Sequence, residues 1–457
     1  MRLAERMLRR KFLFISLPLL FASTVLAQDN SPYSRYGLGN QFPSTNITSR
    51  GMGGVAAAYS DNFSVNYLNP ASYARFQTVL EARSRKMASG RVVLDVGMNL
   101  NSRTLATPNK PESFTATDLL FSHVYVGVPL RKNWGLSFGL RPLSRIGYNT
   151  TRRERLIDPV NHNSIDSVVT QFTGSGGSFL PSFGTGFGTD NFSIGVNIGY
   201  LFGTKELTSR RVFINDTVEY AASNHTTNSS FGDVFFNAGA QYSIDLAKQS
   251  KLRLGVAGNW KQALNASQDV MRQTFTRSAA TGQELTVDSV YHNADARGEI
   301  IYPASYTAGF LYEKDPSEKF RGWSAGLDYV TNKWEDYRFF GSKDSVRSNW
   351  EIHVGAQFAP FGKPSRYAQA ISYRFGFFSG KDYIKVGTDL PVFGVSLGMG
   401  LPIVNYNRLS VNQYSVVNLA LEYVRRGNDN NLLKENLFRL SVGFNFTDLW
   451  FIKRRYE

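Results

Sequence analysis

Leu437-Phe438-Arg439-Leu440-Ser441-Val442-Gly443-Phe444-Asn445-Phe446 alternates without a break. Phe438, Leu440, Val442, Phe444 and Phe446 fall on one face, and Arg439, Ser441, Gly443 and Asn445 on the other. Successive side chains of a strand point to opposite sides, so this is a two-faced β-strand. A strand of a soluble sandwich, apolar side inward, alternates in the same way. Two features select the inverted arrangement, apolar side to lipid. The polar face is small and hydrophilic, as a water-filled lumen requires. The same dyad also recurs from about residue 91 onward, with no helical domain to cover it.

The address agrees. Residues 1–27 open with Arg2, Arg6, Arg9, Arg10 and Lys11, continue with the apolar run Phe12 to Ala22, and end in Val25-Leu26-Ala27. That is the pattern of a cleaved secretory signal peptide, shorter than the ~20 apolar residues a membrane-spanning helix needs. The 457 residues include 23 Tyr, 34 Phe, 40 Gly and no Cys, which leaves no disulfide framework and no thiol chemistry. No later apolar run is long enough for a spanning helix. Only helices and closed barrels satisfy their backbone in lipid. The expected fold class is therefore all-β: a transmembrane antiparallel β-barrel in the outer membrane of a Gram-negative bacterium.

Counting alternation gives fourteen strands. The first three are marked by Val92 to Leu100, by Val124, Val126 and Val128, and by Leu136, Phe138 and Leu140. The rest lie near 174–188, 192–204, 228–246, 250–262, 300–313, 321–333, 347–359, 365–379, 389–401, 412–426 and 436–447. Short links (131–133, 189–191, 247–249) largely alternate with long ones (101–117, 149–173, 205–227, 263–299), as periplasmic turns and extracellular loops do. Trp134, Trp260, Trp323, Trp334, Trp350 and Trp450 all fall at or near strand ends, where a membrane barrel carries its aromatic girdles. Pro181 and Pro303 are read as strand starts.

Residues 28–78 do not alternate. They hold Arg50-Gly51-Met52-Gly53-Gly54-Val55-Ala56-Ala57-Ala58-Tyr59, small enough for close backbone approach, and then Asn69-Pro70-Ala71. Pro70 fixes its own φ and keeps Asn69 extended, which suits a tight turn or the start of a short helix. So many Tyr, Phe and small apolar residues argue against a disordered leader. The division expected is a signal peptide at 1–27, an N-terminal plug at 28–78, and a barrel with a short periplasmic tail at 79–457.

A Gly-rich stretch, then Ala58-Tyr59-Ser60-Asp61, then Asn69-Pro70-Ala71, just behind a signal peptide, resembles the FadL-type outer-membrane transporter family. Gly199-Tyr200-Leu201-Phe202-Gly203 is similar to a recurrent strand ending of that family. Leu421-Glu422-Tyr423 and the final Trp450-Phe-Ile-Lys-Arg-Arg-Tyr-Glu457 look like a FadL-like subgroup. The resemblance implies a hatch folded inside a fourteen-stranded barrel, with Gly51, Gly53 and Gly54 giving backbone freedom and Asn69, Pro70 and Ala71 fixing its register. It implies passive uptake of hydrophobic, long-chain fatty acid-like compounds. Pro142, within Leu140-Arg141-Pro142-Leu143, stands where the family's third strand bends inward and opens the wall sideways; a bulge without a gap fits it equally well. The alternative function is a non-transporting subunit of a larger outer-membrane machine for secretion, surface attachment or barrel assembly, with the basic tail (Lys453, Arg454, Arg455) as its docking element.

Chemistry is sparse. Ser122 and His123 are neighbours on a strand, so alternation sets them on opposite faces, and His162, His225, His292 and His353 stand apart. No metal spacing or phosphate loop occurs; no enzyme activity, cofactor or metal is expected. Asp61, Glu335 and Asp336 read as solvated or lumen-facing charges. The sequence carries a net charge of +15, and Arg152, Arg153 and Arg155 cluster in an expected extracellular loop, as either a contact for lipopolysaccharide phosphates or a set of solvated cations. Nucleic acid is not an expected partner. Lipid, lipopolysaccharide, a hydrophobic small molecule and other outer-membrane or periplasmic proteins are.

Overall fold

The computed structural model describes residues 30–81, 87–108, 110–157, 160, 164–214, 220–277, 281, 283–403 and 413–451. The signal peptide and the basic tail at Lys453, Arg454 and Arg455 lie outside the described residues, as does His162.

Among the described residues, nineteen strands form one sheet. Two short ones belong to the N-terminal segment: β1 (Asn40–Gln41) and β2 (Thr78–Leu80). The wall follows as β3 (Met87–Ala106), β4 (Ser113–Arg131), β5 (Trp134–Ile157), β6 (Ser164–Gly188), β7 (Phe192–Ile214), β8 (Ala222–Ala247), β9 (Ser250–Asn259), β10 (Gln262–Arg277), β11 (Glu284–Tyr302), β12 (Ser305–Lys314), β13 (Arg321–Asn332), β14 (Arg338–Phe339), β15 (Asn349–Phe361), β16 (Ser372–Val386), β17 (Thr388–Ile403), β18 (Tyr414–Arg426) and β19 (Lys434–Trp450). Each of the pairs β9/β10, β11/β12 and β13/β14 fills one wall position. Between β11 and β12 the interruption falls at Pro303, which has no N–H to donate. Fourteen wall positions result, and β19 pairs antiparallel with β3 from Lys434↔Ala106 to Trp450↔Gly90, closing the barrel.

The alternation of β19 has its expected outcome. Phe438, Leu440, Phe444 and Phe446 are exposed on the outer face, whereas Ser441 and Asn445 are buried toward the interior. The β19–β3 ladder leaves neither the first nor the last wall strand with an edge to lipid, which offers no hydrogen bonds.

The structure differs from the sequence reading at several places. The expected long loops are mostly strand: β5 and β6 run on to Ile157 and from Ser164, and β10 and β11 fill most of 263–299. Above the lipid both faces of a strand meet water, so the apolar dyad stops while the backbone ladder continues. Residues 365–371 are not strand; a short helix, α1 (Tyr367–Ala370), precedes β16. Gly199–Gly203 lies mid-strand in β7 and not at an ending. Pro181 sits inside β6, where the ladder to β7 skips Leu180 and Pro181. Trp134, Trp260, Trp323, Trp350 and Trp450 are exposed on the outside, but Trp334 is only 4% exposed and packs inward with Tyr337 and Tyr383.

Candidate functional site

The N-terminal segment touches most of the wall strands on the side away from lipid, so it lies in the lumen. Its first part, Asn30 to Gln41, hydrogen-bonds the upper half of β5: the Ser31 amide donates to Gly147 O at 2.9 Å, and β1 pairs with Ser144 and Arg145. Tyr33 and Leu38 join Leu143, Leu201, Phe235 and Trp334 in the large interior apolar cluster. A one-turn helix, α-helical from Ile47 to Arg50, is capped by Asn46, whose side chain accepts from the Ser49 amide.

Arg50 is the central tie. Its guanidinium donates to Glu422 of β18 at 3.1 Å, to Asn99 of β3 at 2.7 Å, to Ser122 of β4 at 3.4 Å, and to Ser441 of β19. Arg439 meets the same Glu422 carboxylate at 3.6 Å. Behind Arg50 the chain turns through Gly53 (φ +67°) and Gly54 (φ +92°), a left-handed conformation that glycine adopts without penalty. Asp328 of β13 then accepts from the amides of Ala56 at 2.7 Å and Ala57 at 2.8 Å. His353 of β15 lies 2.6 Å from Gly53 O through Nδ1 and 3.2 Å from Glu351 through Nε2.

Asn69-Pro70-Ala71 begins a 3₁₀ turn, Pro70–Arg75, capped by Asn69 accepting from the Ala71 amide at 3.1 Å. The Asn69 amide group also donates to Ala57 O at 2.6 Å and to Val256 O of β9 at 3.2 Å. The glycine motif and the Asn-Pro-Ala motif therefore occupy separate seats, Gly53 against β15 and β16 and Pro70 against β6 and β7, bridged by Asn69 and Ala57.

Ser122 and His123 do not point to opposite faces. The register between β3 and β4 shifts between Gly97 and Met98, opposite this pair. That bulge turns two successive side chains inward, the effect of one extra residue in a ladder. Ser122 Oγ lies 3.1 Å from His123 Nδ1, and His123 Nε2 lies 3.0 Å from Asp95. All three groups are buried, and the second Asp95 oxygen accepts from the Val65 amide at 3.0 Å. The group is another tie between wall and luminal segment.

Pro142 marks a change in the wall. The β4–β5 ladder runs only between Arg131↔Trp134 and Val124↔Leu140. Above it β4 stays paired with β3 and β5 with β6, and the β5–β6 register shifts between Pro142 and Ser144. Past this bulge Ser144, Ile146 and Tyr148 are buried inward, so Arg145 points the other way. Yet Arg145 reaches Asp118, a buried residue of β4, at 3.4 Å. The upper half of β5 thus stands behind β4, and β1 takes the edge that β4 leaves.

Between wall and segment remains a cavity of about 350 Å³. Arg50, Arg103, Arg426, Arg439, Glu422 and Glu435 are among its lining residues, beside Leu143, Phe235 and Tyr302. Arg103 and Arg426 both pair with Glu435, at 2.8 and 3.2 Å, and Arg426 pairs with Asp382 at 2.7 Å. Sequence reading missed these groups; Glu422 and Arg439 stand directly opposite on neighbouring strands, and their charge on the polar face of alternating segments was the available signal. Outside, Arg152 pairs with Glu154 at 2.8 Å, and Glu154 also meets Arg211 at 4.0 Å. Arg153 and Arg155 are exposed on the opposite face of β5.

Solved structures share this architecture. The Pseudomonas putida toluene transporter TodX matches over 90% of this chain and 98% of its own, with 12% identity and a TM-score of 0.52. The CymD monoaromatic hydrocarbon channel matches over 90% and 98%, with 14% identity and a TM-score of 0.51. A Pseudomonas aeruginosa FadL homologue matches over 91% and 100%, with 12% identity and a TM-score of 0.50. At these identities the likeness is one of fold. No match was found among curated proteins. The family model BamG matches residues 7–457, essentially the whole sequence, and the chain belongs to the BamG family.

Proposed function

We propose that this protein is a plugged outer-membrane barrel that serves as a non-transporting subunit of a larger outer-membrane complex. The observation that carries this reading is the lumen itself. Residues 30–76 occupy it along its length, tied to opposite sides of the wall by Arg50, Asp95, Asp328 and Asn69. The space left carries paired charges on a lining it shares with Leu143, Phe235 and Tyr302, and an apolar cargo beside those charges would have to desolvate several ions. Membership of the BamG family supports barrel assembly among the settings a FadL-like subunit can serve.

A second reading is passive uptake of a hydrophobic compound. The parting of β4 from β5 above Val124 favours it, since an apolar molecule could leave sideways there once the luminal segment shifts. The solved barrels of the same fold include a toluene transporter and a monoaromatic hydrocarbon channel.

Extraction from native membranes in mild detergent, followed by mass spectrometry of proteins and lipid extract, separates the two. A stoichiometric protein partner with no apolar ligand supports the subunit. An isolated barrel holding fatty acid or a similar molecule overturns it. For Arg153 and Arg155, we propose a lipopolysaccharide contact: their double replacement by Ser lowers lipopolysaccharide retained through purification, and unchanged retention rejects it.

A further inference from the structure

The parting of β4 and β5 creates two strand edges, and the described residues cover only one. On β5 the N-terminal segment acts as a substitute strand: Asn40↔Arg145 and Gln41↔Ser144 are paired, the Phe42 amide donates to Leu143 O at 2.9 Å, and the Asn30 side chain accepts from the Asn149 amide at 3.0 Å. On β4, among the described residues, no strand is laddered to the matching edge from Leu119 to His123.

The depth of that edge matters. Leu119 is level with Leu100 of β3, and Leu100 with Leu440 of β19. All three side chains are exposed on the outer face, at 44%, 41% and 39%. Leu119 to His123 therefore lies within the apolar band. Water is scarce there, and an open edge of N–H and C=O groups is costly. Acyl chains cannot satisfy those groups. A β-strand can, by extending the sheet.

We infer that the β4 edge from Leu119 to His123 is a docking site for a β-strand supplied by a partner outer-membrane protein. The strand would run antiparallel to β4, with alternate apolar side chains toward lipid in line with Leu119 and Phe121. The edge is five residues long, about 16 Å at ~3.3 Å per residue. Upward, the Asp118–Arg145 ion pair at 3.4 Å marks the limit, because there β5 is drawn against β4. This inference rests on the subunit reading.

Site-specific photocrosslinking in living cells tests it. A benzophenone amino acid is placed singly at Leu119 and Phe121, with controls at Val126 and Val128 on the paired part of the same strand. The expected result is one partner protein joined at Leu119 and Phe121, through partner residues two apart, and at least ten-fold less at both controls. Because the chain has no cysteine, Asp118→Cys with Arg145→Cys can be tethered by a short bis-maleimide. Tethering is expected to abolish the crosslink, and the untethered double variant to keep it. Equal crosslinking at all four positions, lipid adducts only, or indifference to the tether overturns the inference. If a partner still co-purifies in that case, the subunit reading stands without this site; if the barrel is isolated alone with a bound apolar molecule, the reading itself has failed.

Discussion

Arg50 and Glu422 form an ion pair at 3.1 Å whose side chains are only 2% and 6% exposed. The two residues are 372 positions apart, one on the luminal segment and one on the wall. Removing one partner of a buried pair strands the other, at a cost of about 3–5 kcal/mol. Arg50→Met is therefore expected to lower the thermal transition of the purified barrel and to open the segment to protease. Replacing the whole cluster, as Arg50→Met with Glu422→Leu and Arg439→Met, is expected to recover much of the loss, because Arg439 shares the Glu422 carboxylate and would otherwise be left without it. Calorimetry and limited proteolysis of the three proteins check this.

Asp328 holds the turn after the glycines through two amides. A hydrogen bond to a charged group contributes about 1.5–3 kcal/mol. Asp328→Ala should leave the barrel closed yet raise amide exchange at Ala56 and Ala57, with little change in the strands. Hydrogen exchange read by mass spectrometry checks it. Uniform exchange in all regions would place the effect on barrel folding instead.

Gly376 of β16 faces Gly53 so closely that a Cβ there would stand 1.8 Å from the Gly53 nitrogen. Both contacting groups are backbone and cannot swing aside. Gly376→Val should prevent the segment from seating, and single-channel recordings should then show a conductance that the wild type lacks. Wild-type recordings with comparable conductance would show that the segment does not seal the lumen.

Asp61 belongs to the luminal segment and lies near its periplasmic end. Burial pushes its carboxyl above the ordinary 3.8, against the lowering effects of Arg374 and the Phe63 amide. The folded state then holds this proton more tightly than the unfolded chain. Stability from this group is therefore greatest below the ordinary carboxyl value and falls as pH rises through the raised folded value. Asp61→Asn should stabilise the segment at neutral pH and flatten its stability across that acid window. A melting-temperature series between pH 3 and 8, with and without the substitution, measures it; parallel curves would show that Asp61 is solvated.

The wall was legible because one physical demand, apolar side to lipid, is written into every strand at period two. All fourteen positions follow from it, including β19. The strand tips were not legible, since above the lipid nothing enforces alternation on residues such as Arg152 to Ile157. Nor was the inward turn of Ser122 and His123, because one extra residue in a ladder has no sequence mark of its own. Gly53, Gly54 and Asn69 were visible as residues needing special backbone, though not what each would touch. Arg50 looked like any basic residue; its partners come from strands that only closure of the barrel brings together.

The central claim is that the luminal segment stays in place while the protein works. Phe63 of the segment and Tyr414 of β18 have ring centroids 4.8 Å apart, and cysteines at these two sites can be joined by a short cross-linker. The measurement is native complex recovery and growth of cells carrying only the locked protein. The account predicts that locked and unlocked forms retain the same partner and support the same growth. Loss of function on locking, reversed when a cleavable linker is cut, would contradict it and show that the segment must move.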